Sequence, residues 1–184
     1  MFRKMSQENI GNIKTPKEVY YYALNIGKPV PELEGIIAQD PKWSYWYAKE
    51  ILKGRFGKGE DMISQNPEWS CKYAVNVLKD RFEKGEDAIA QELYWSFEYA
   101  KNIIKGRFEK GEDAMAQDPY YSYSYAKNVI RGRFEKGEDA IARDSYYSYY
   151  YAVDVLKGRF EKGEKAIRHD PYWGNLYARK FGRY

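Results

Sequence analysis

Cys71 and His169 are the only cysteine and the only histidine in this 184-residue chain. Side by side they could form a thiolate nucleophile and its general base, but that pairing needs hydrogen-bond reach. The sequence repeats with a period of 26 residues, and the two residues fall three repeats apart. At roughly 8–10 Å per packed helix layer, that is on the order of 30 Å. A metal site wants several His, Cys or clustered carboxylates. The acidic pairs present, such as Glu138-Asp139, recur in most repeats. An active centre does not need five copies of a carboxylate, whereas helix starts do. No Walker sequence, Gly-x-Gly-x-x-Gly or Gly-x-Ser-x-Gly occurs, and the 15 glycines fall mainly at repeated turn positions. The expectation is a protein that is not an enzyme and carries no metal or cofactor.

The chemistry that remains is recognition. One arginine per repeat, Arg55, Arg81, Arg107, Arg133 and Arg159, stands in the dipeptide Arg-Phe, five residues before Glu60, Glu86, Glu112, Glu138 and Glu164. This pattern reads first as an ion-pair ladder fixing each turn, and second as a guanidinium row facing a polyanion. Lys58, Lys84, Lys110, Lys136 and Lys162 form another row, flanked by acids, and read as solvated surface.

Side chains in such rows must be positioned by repeated elements. Asp118-Pro119 is a helix start, a carboxylate N-cap followed by proline where no N–H is needed. Asp40-Pro41, Asn66-Pro67 and Asp170-Pro171 repeat it. The spacing of Tyr121, Tyr125, Ala126, Val129 and Ile130 predicts a helix of about thirteen residues with a wide buried face. Ser122 and Ala126, small residues near the centre of that face, predict close helix approach. Gly132, with Gly54, Gly106 and Gly158, is the expected left-handed C-cap, which Asp80 replaces once. Phe134 to Ala142 predicts a second helix of about two turns, with Gly137 at a close backbone approach. Such a short helix is held by packing rather than by itself.

The expected fold is therefore all-α, an α-solenoid of short helix-turn-helix repeats. Residues 1–39 form an N-terminal segment and a degenerate capping repeat that begins at Thr15-Pro16 and contains Tyr22-Ala23. Residues 40–169 are five full 26-residue repeats. Residues 170–184 are a half-repeat cap with a basic tail, Arg179-Lys180-Phe181-Gly182-Arg183. The three together read as one continuous solenoid domain.

Composition narrows the function classes. Apolar residues make up 43% of the chain, mean hydropathy is −0.83, and no apolar run approaches the length of a bilayer span. Residues 1–9 lack the apolar core of a secretory leader, and a lone cysteine suits a reducing compartment, so the expected location is cytoplasmic. The net charge of +4 is spread thinly: residues 40–169 carry 23 Lys/Arg against 22 Asp/Glu. A protein that neutralises many phosphates shows a larger excess.

The core from Tyr125 to Ala142, Tyr-Ala-Lys-Asn-Val-Ile-Arg-Gly-Arg-Phe-Glu-Lys-Gly-Glu-Asp-Ala-Ile-Ala, resembles short helical-hairpin repeats in proteins of tailed phages and large DNA viruses. The resemblance covers about residues 40–178. Those repeats often carry proline after Arg-Phe, where this chain has Gly57, Glu83, Glu109, Glu135 and Glu161. The architecture is also similar to tetratricopeptide and Sel1 arrays with shorter units. The group shares no single activity. The resemblance implies a viral or prophage origin, a place in a host cytoplasm, and action on a host or defence component.

The surface expected to bind is the polar arc of the first helices, at positions two, six, nine and thirteen after each cap. It carries a tyrosine row, Tyr94, Tyr120, Tyr146 and Tyr172. A basic row of Lys53, Lys79, Lys105, Arg131 and Lys157 accompanies it, with Trp46, Lys127 and Tyr150 between. Two readings stand for the tyrosines: packing between repeats, or a recognition surface, since tyrosine and arginine are enriched at interfaces. The expected partner is a protein. The alternative is single-stranded nucleic acid, with bases stacked on tyrosines beside lysines.

Overall fold

The computed structural model describes residues 7–182. The readings placed on Met1 to Ser6 and on Arg183 of the basic tail lie outside the described residues. The protein is an all-helical repeat array: among the described residues it is 75% helix, with 13 α-helices in a pattern that repeats about every 26 residues and no strand. Backbone contacts divide the chain after Ile89 into two compact units.

The first unit opens with a 3-10 turn, Gln7–Asn12, and the helix Pro16–Ile26. That helix starts in a capping box: Thr15 accepts the Glu18 N–H while the Glu18 carboxylate accepts the Thr15 N–H. It ends at Gly27 in the left-handed conformation, φ 68°. Glu34–Ile37 completes the degenerate cap repeat. Two full repeats follow. Their first helices begin at Pro41 and Pro67, and their short second helices are Glu60–Ile63 and Glu86–Ile89.

The second unit holds three full repeats and the terminal helix. First helices start as Leu93–Tyr99, Pro119–Ser124 and Ser145–Tyr150, and the chain closes on Pro171–Phe181. Second helices are Glu112–Met115, Glu138–Ile141 and Glu164–His169, each preceded by a 3-10 turn. Asp118, Asp144 and Asp170 cap their helices by accepting an N–H three residues on. In the terminal helix Asn175 is exposed where the preceding repeats bury Phe97 and Tyr123.

Each first helix changes winding halfway. After Ser124 the chain continues as a π-helix, Tyr125–Ile130, and the same change occurs at Tyr47–Leu52, Ala74–Leu78, Ala100–Ile104 and Tyr151–Leu156. The left-handed residue that ends it is not the glycine. Lys53, Lys79, Lys105, Arg131 and Lys157 have φ of 51–55°, whereas Gly54, Gly106, Gly132 and Gly158 lie outside that region. The reason is the wider turn. The Arg131 N–H reaches back to the Ala126 carbonyl, and the Gly132 N–H joins it on the same oxygen at 3.0 Å. The chain therefore reverses one residue earlier than an α-helical count predicts. It also explains Asp80, which fills the glycine slot without needing a left-handed backbone.

The predicted close approaches are present. A Cβ on Gly137 would lie 2.5 Å from Phe134 Cδ1 and 2.6 Å from Ser122 Cβ. Ser122 is wholly buried and donates to the Met115 carbonyl at 3.0 Å. Ser44, Ser70 and Ser148 repeat this bond to Ile37, Ile63 and Ile141. Serine is thus small enough for the crossing and satisfies the last carbonyl of the preceding short helix.

Within each unit a tyrosine holds a repeat to the one before. The Phe134 N–H donates to the Tyr151 oxygen at 2.9 Å, and Tyr151 donates to Glu138 at 3.2 Å. Tyr125 does the same with Phe108 and Glu112, and Tyr177 with Phe160 and Glu164. In the first unit Tyr73 bonds Phe56 and Glu60, and Tyr47 bonds Val30 and Glu34. All five tyrosines are wholly buried.

Candidate interaction surface

The arginine ladder belongs to this lock. Arg133 Nε and Nη2 grip Glu138 at 2.6 and 3.1 Å, and Arg55 and Arg159 grip Glu60 and Glu164 in the same bidentate way. Glu138 is only 1% exposed, so its charge requires that partner. The Arg159 hydrogen bond holds the Glu164 carboxyl below the usual carboxylate range, against the opposing effect of burial. Of the two readings of this row, the geometry selects the internal one.

The lysines after the turns are not simply solvated, contrary to their sequence reading. Lys136 pairs with Asp113 at 2.8 Å, Lys162 with Asp139 at 2.9 Å and Lys58 with Glu34 at 2.9 Å; Lys84 pairs with Asp61. Each reaches back one repeat, because the turn of one hairpin sits over the second helix of its predecessor. These are exposed pairs, worth about 0–1 kcal/mol each.

The basic row at the ends of the first helices behaves differently. Lys53, Lys79, Lys105, Arg131 and Lys157 are exposed and form no salt bridge with a described residue. Each also occupies a left-handed conformation that costs a non-glycine residue roughly 1–2 kcal/mol. A cation there interacts favourably with the helix C-terminus, by about 0.3–1 kcal/mol, which offsets part of the strain. In the second unit Lys105 and Arg131 line an open groove of about 390 Å³ with Lys101, Asn128 and Val129. A second groove, about 520 Å³, runs past Arg133, Arg159 and Lys162. Its cations are already paired with Glu138, Glu164 and Asp139.

The tyrosine row lies at the opposite ends of the same helices. Among the described residues of the second unit, Tyr94, Tyr120, Tyr146 and Tyr172 are the most exposed large aromatics, at 45–64%. Each ring is braced edge-on by its neighbour: Tyr94 by Trp95 at 4.7 Å, Tyr120 by Tyr121 at 4.9 Å, Tyr146 by Tyr147 at 5.0 Å and Tyr172 by Trp173 at 4.7 Å. Tyr120 also meets Tyr147, and Tyr146 meets Trp173, at 6.1 and 5.3 Å. Aromatic contact thus crosses from repeat to repeat, as the packing reading expects, while each ring stays about half exposed.

Three residues placed on the surface by sequence are committed elsewhere. Lys127 donates to Asp154 and to the Tyr123 hydroxyl, both at 2.8 Å, and Tyr123 donates to the same carboxylate at 2.6 Å. Burial pushes the Tyr123 phenol up to about 12. Tyr150 is half-buried between Tyr146 at 4.7 Å and Trp173 at 5.5 Å. Trp46 is half-buried beside Tyr45 at 5.1 Å, with Lys49 Nζ 4.8 Å over its ring. Lys101 and Asn128 were not among the expected site residues. The signal for them was the lysine and asparagine recurring at the ninth and tenth positions after the cap.

Cys71 is buried and His169 is exposed. Among the described residues no helix is long and apolar enough to cross a membrane, and no three His, Cys, Asp or Glu side chains are grouped to hold a metal ion. No family model matches this chain, and no curated protein or solved structure is detectably similar to it.

Proposed function

We propose that the protein is a non-catalytic interaction module that binds a protein partner through the exposed face of its first helices. The observation that carries this reading is the row Tyr94, Tyr120, Tyr146 and Tyr172, open to solvent and held edge-on by a second aromatic layer. Rings fixed before contact lose little entropy on binding, which is how tyrosine-rich interfaces gain affinity. The groups that could do acid–base chemistry, the buried Glu and Tyr and the exposed Arg that pairs with the Glu, are absorbed in the lock between repeats. A viral or prophage inhibitor or adaptor of a host or defence protein, acting in the host cytoplasm, is the sharper form of this proposal. It rests on the repeat resemblance alone.

Single-stranded nucleic acid fits this face less well. Stacking platforms and cations must adjoin for one strand to use both. Tyr120 and Arg131 stand eleven residues apart on one helix, about 16 Å at 1.5 Å per residue. Lys127, which lies 5.3 Å over the Tyr123 ring, is occupied by Asp154.

The test is affinity capture from host lysate with the intact chain and with Tyr94→Ser, Tyr120→Ser and Tyr146→Ser combined. These side chains support no buried hydrogen bond, so helix content should hold while a stoichiometric, nuclease-resistant partner is lost. Retention of the partner by the folded triple variant would put the tyrosine face aside.

A further inference from the structure

The basic row raises a separate question, since five exposed cations in strained backbone form no salt bridge with a described residue, Lys157 alone lying near a carboxylate, Asp154, that is already paired with Lys127. The groove between two adjacent first helices of the second unit collects Lys101, Lys105 and Arg131. It adds Asn128, whose amide has no hydrogen-bond partner among the described residues. The neighbouring groove at the turns has its cations neutralised by carboxylates of the fold, and this one does not. Charge complementarity therefore calls for an acidic occupant.

The repeat spacing says what shape that occupant has. Lys105, Arg131 and Lys157 occupy the same position in successive repeats, whose first helices pack directly on one another. Packed helices stand about 8–10 Å apart. A polyproline II chain advances about 3.1 Å per residue with three residues per turn, so every third side chain returns to the same side after about 9.3 Å. A β-strand instead returns every second residue, about 6.6 Å, and falls out of step with the row.

We propose that Lys105, Arg131 and Lys157, with Lys101 and Asn128 lining the first interval, bind an acidic polyproline II segment of a protein partner, one carboxylate to each repeat. This inference rests on the protein-binding reading above and names the chemistry of the partner. The left-handed backbone at these positions turns each helix end back and presents the cation at its edge. The near-neutral charge of the array, 23 Lys/Arg against 22 Asp/Glu in residues 40–169, suits a short acidic peptide better than a long polyanion.

Fluorescence anisotropy with synthetic probes tests it. The first probe is a labelled peptide of four Glu-Pro-Pro triplets. The second has the same composition with its glutamates contiguous, and the third is an oligothymidylate of twelve nucleotides. The triplet peptide should bind about tenfold tighter than the contiguous one, a difference of about 1.4 kcal/mol. Its affinity should fall as salt rises from roughly 50 to roughly 200 mM. The combined variant Lys105→Asn, Arg131→Asn, Lys157→Asn should lose the triplet peptide and stay folded, because asparagine accepts a left-handed backbone. A purely helix-capping role predicts the reverse, a lower Tm with peptide binding unchanged. Equal affinity for the two peptides, an unaffected variant, or tighter binding of the oligothymidylate would each overturn the proposal. If the tyrosine variant loses its captured partner while the triplet peptide does not bind, only this inference falls. If folded tyrosine and asparagine variants both keep the partner, the protein-binding face itself is wrong.

Discussion

The Tyr151 hydroxyl lies 3.2 Å from the Glu138 carboxylate, thirteen residues before it in sequence and wholly buried. The same oxygen receives the Phe134 N–H at 2.9 Å, and Arg133 closes the carboxylate from the other side. Four groups thus converge on one point, which is why Arg-Phe, Glu and Tyr recur in step. Tyr151→Phe removes the central atom and leaves a buried N–H without its acceptor. We expect a loss of about 1–3 kcal/mol, read as a lower urea midpoint, whereas Tyr146→Phe on the surface should change it by less than about 0.5 kcal/mol.

The same lock sets the alkaline limit of stability. Burial pushes the Tyr47 and Tyr125 phenols up to about 12 from an ordinary value of 10. A group with a raised folded pKa contributes stability that is whole below its unfolded value and is lost as pH rises through the folded one. Unfolding should therefore set in between about pH 10 and 12. At the acid end the sign reverses. Glu164, held low by Arg159, and Asp139, held low by Lys162, stabilise above the usual carboxylate pKa and cease to do so as pH falls below about 4. Far-UV circular dichroism against pH should show a plateau between the two limits. Phenolate absorbance should include a late phase from the buried tyrosines of the lock, near pH 12. Absence of that late phase would contradict the buried lock.

Much of this was legible in the sequence, because a repeat displays each structural demand several times over. Asp-Pro starts, the wholly buried Tyr-Ala pairs and the Ser–Gly crossing all follow from residue type and spacing. Winding was not legible. Nothing in Tyr-Ala-Lys-Asn-Val-Ile marks a π-helix, so the left-handed position fell one residue off, on Gly132 rather than Arg131. Long-range pairing was also invisible. Lys127 and Asp154 are 27 residues apart and meet only once two repeats are stacked, so Lys127 read as surface. Tyr120 and Arg131 share one face by helical phase, yet their eleven-residue separation alone puts them at opposite ends of it.

Space, rather than backbone freedom, makes Gly137 a glycine. Its φ of −87° is open to any residue, yet an added Cβ would meet Ser122 Cβ at 2.6 Å and Phe134 Cδ1 at 2.5 Å. Gly137→Ala should cost about 1–3 kcal/mol by overpacking. Ser122→Gly removes half of the clash, so the double variant should recover part of that loss despite the missing hydrogen bond to Met115. A double-mutant cycle on the denaturation midpoint measures the coupling. Strict additivity would show that the two residues do not share one crossing.

Gly106 tests the corrected helix ending. If the glycine were the left-handed residue, Gly106→Ala would cost roughly 1–2 kcal/mol. In the structure Lys105 carries φ 53° instead, and a Cβ on Gly106 would find only the Ile104 carbonyl, at 3.9 Å. Alanine there restricts the unfolded chain without straining the folded one. Gly106→Ala should therefore be neutral or stabilising by about 0.4–1 kcal/mol. Lys105→Gly relieves the strained position directly and should raise the midpoint, less the interaction its charge makes with the helix end. Chemical denaturation of the two single variants separates the cases. A destabilised Gly106→Ala beside an unchanged Lys105→Gly would return the left-handed cap to the glycine and remove the strain argument for the basic row.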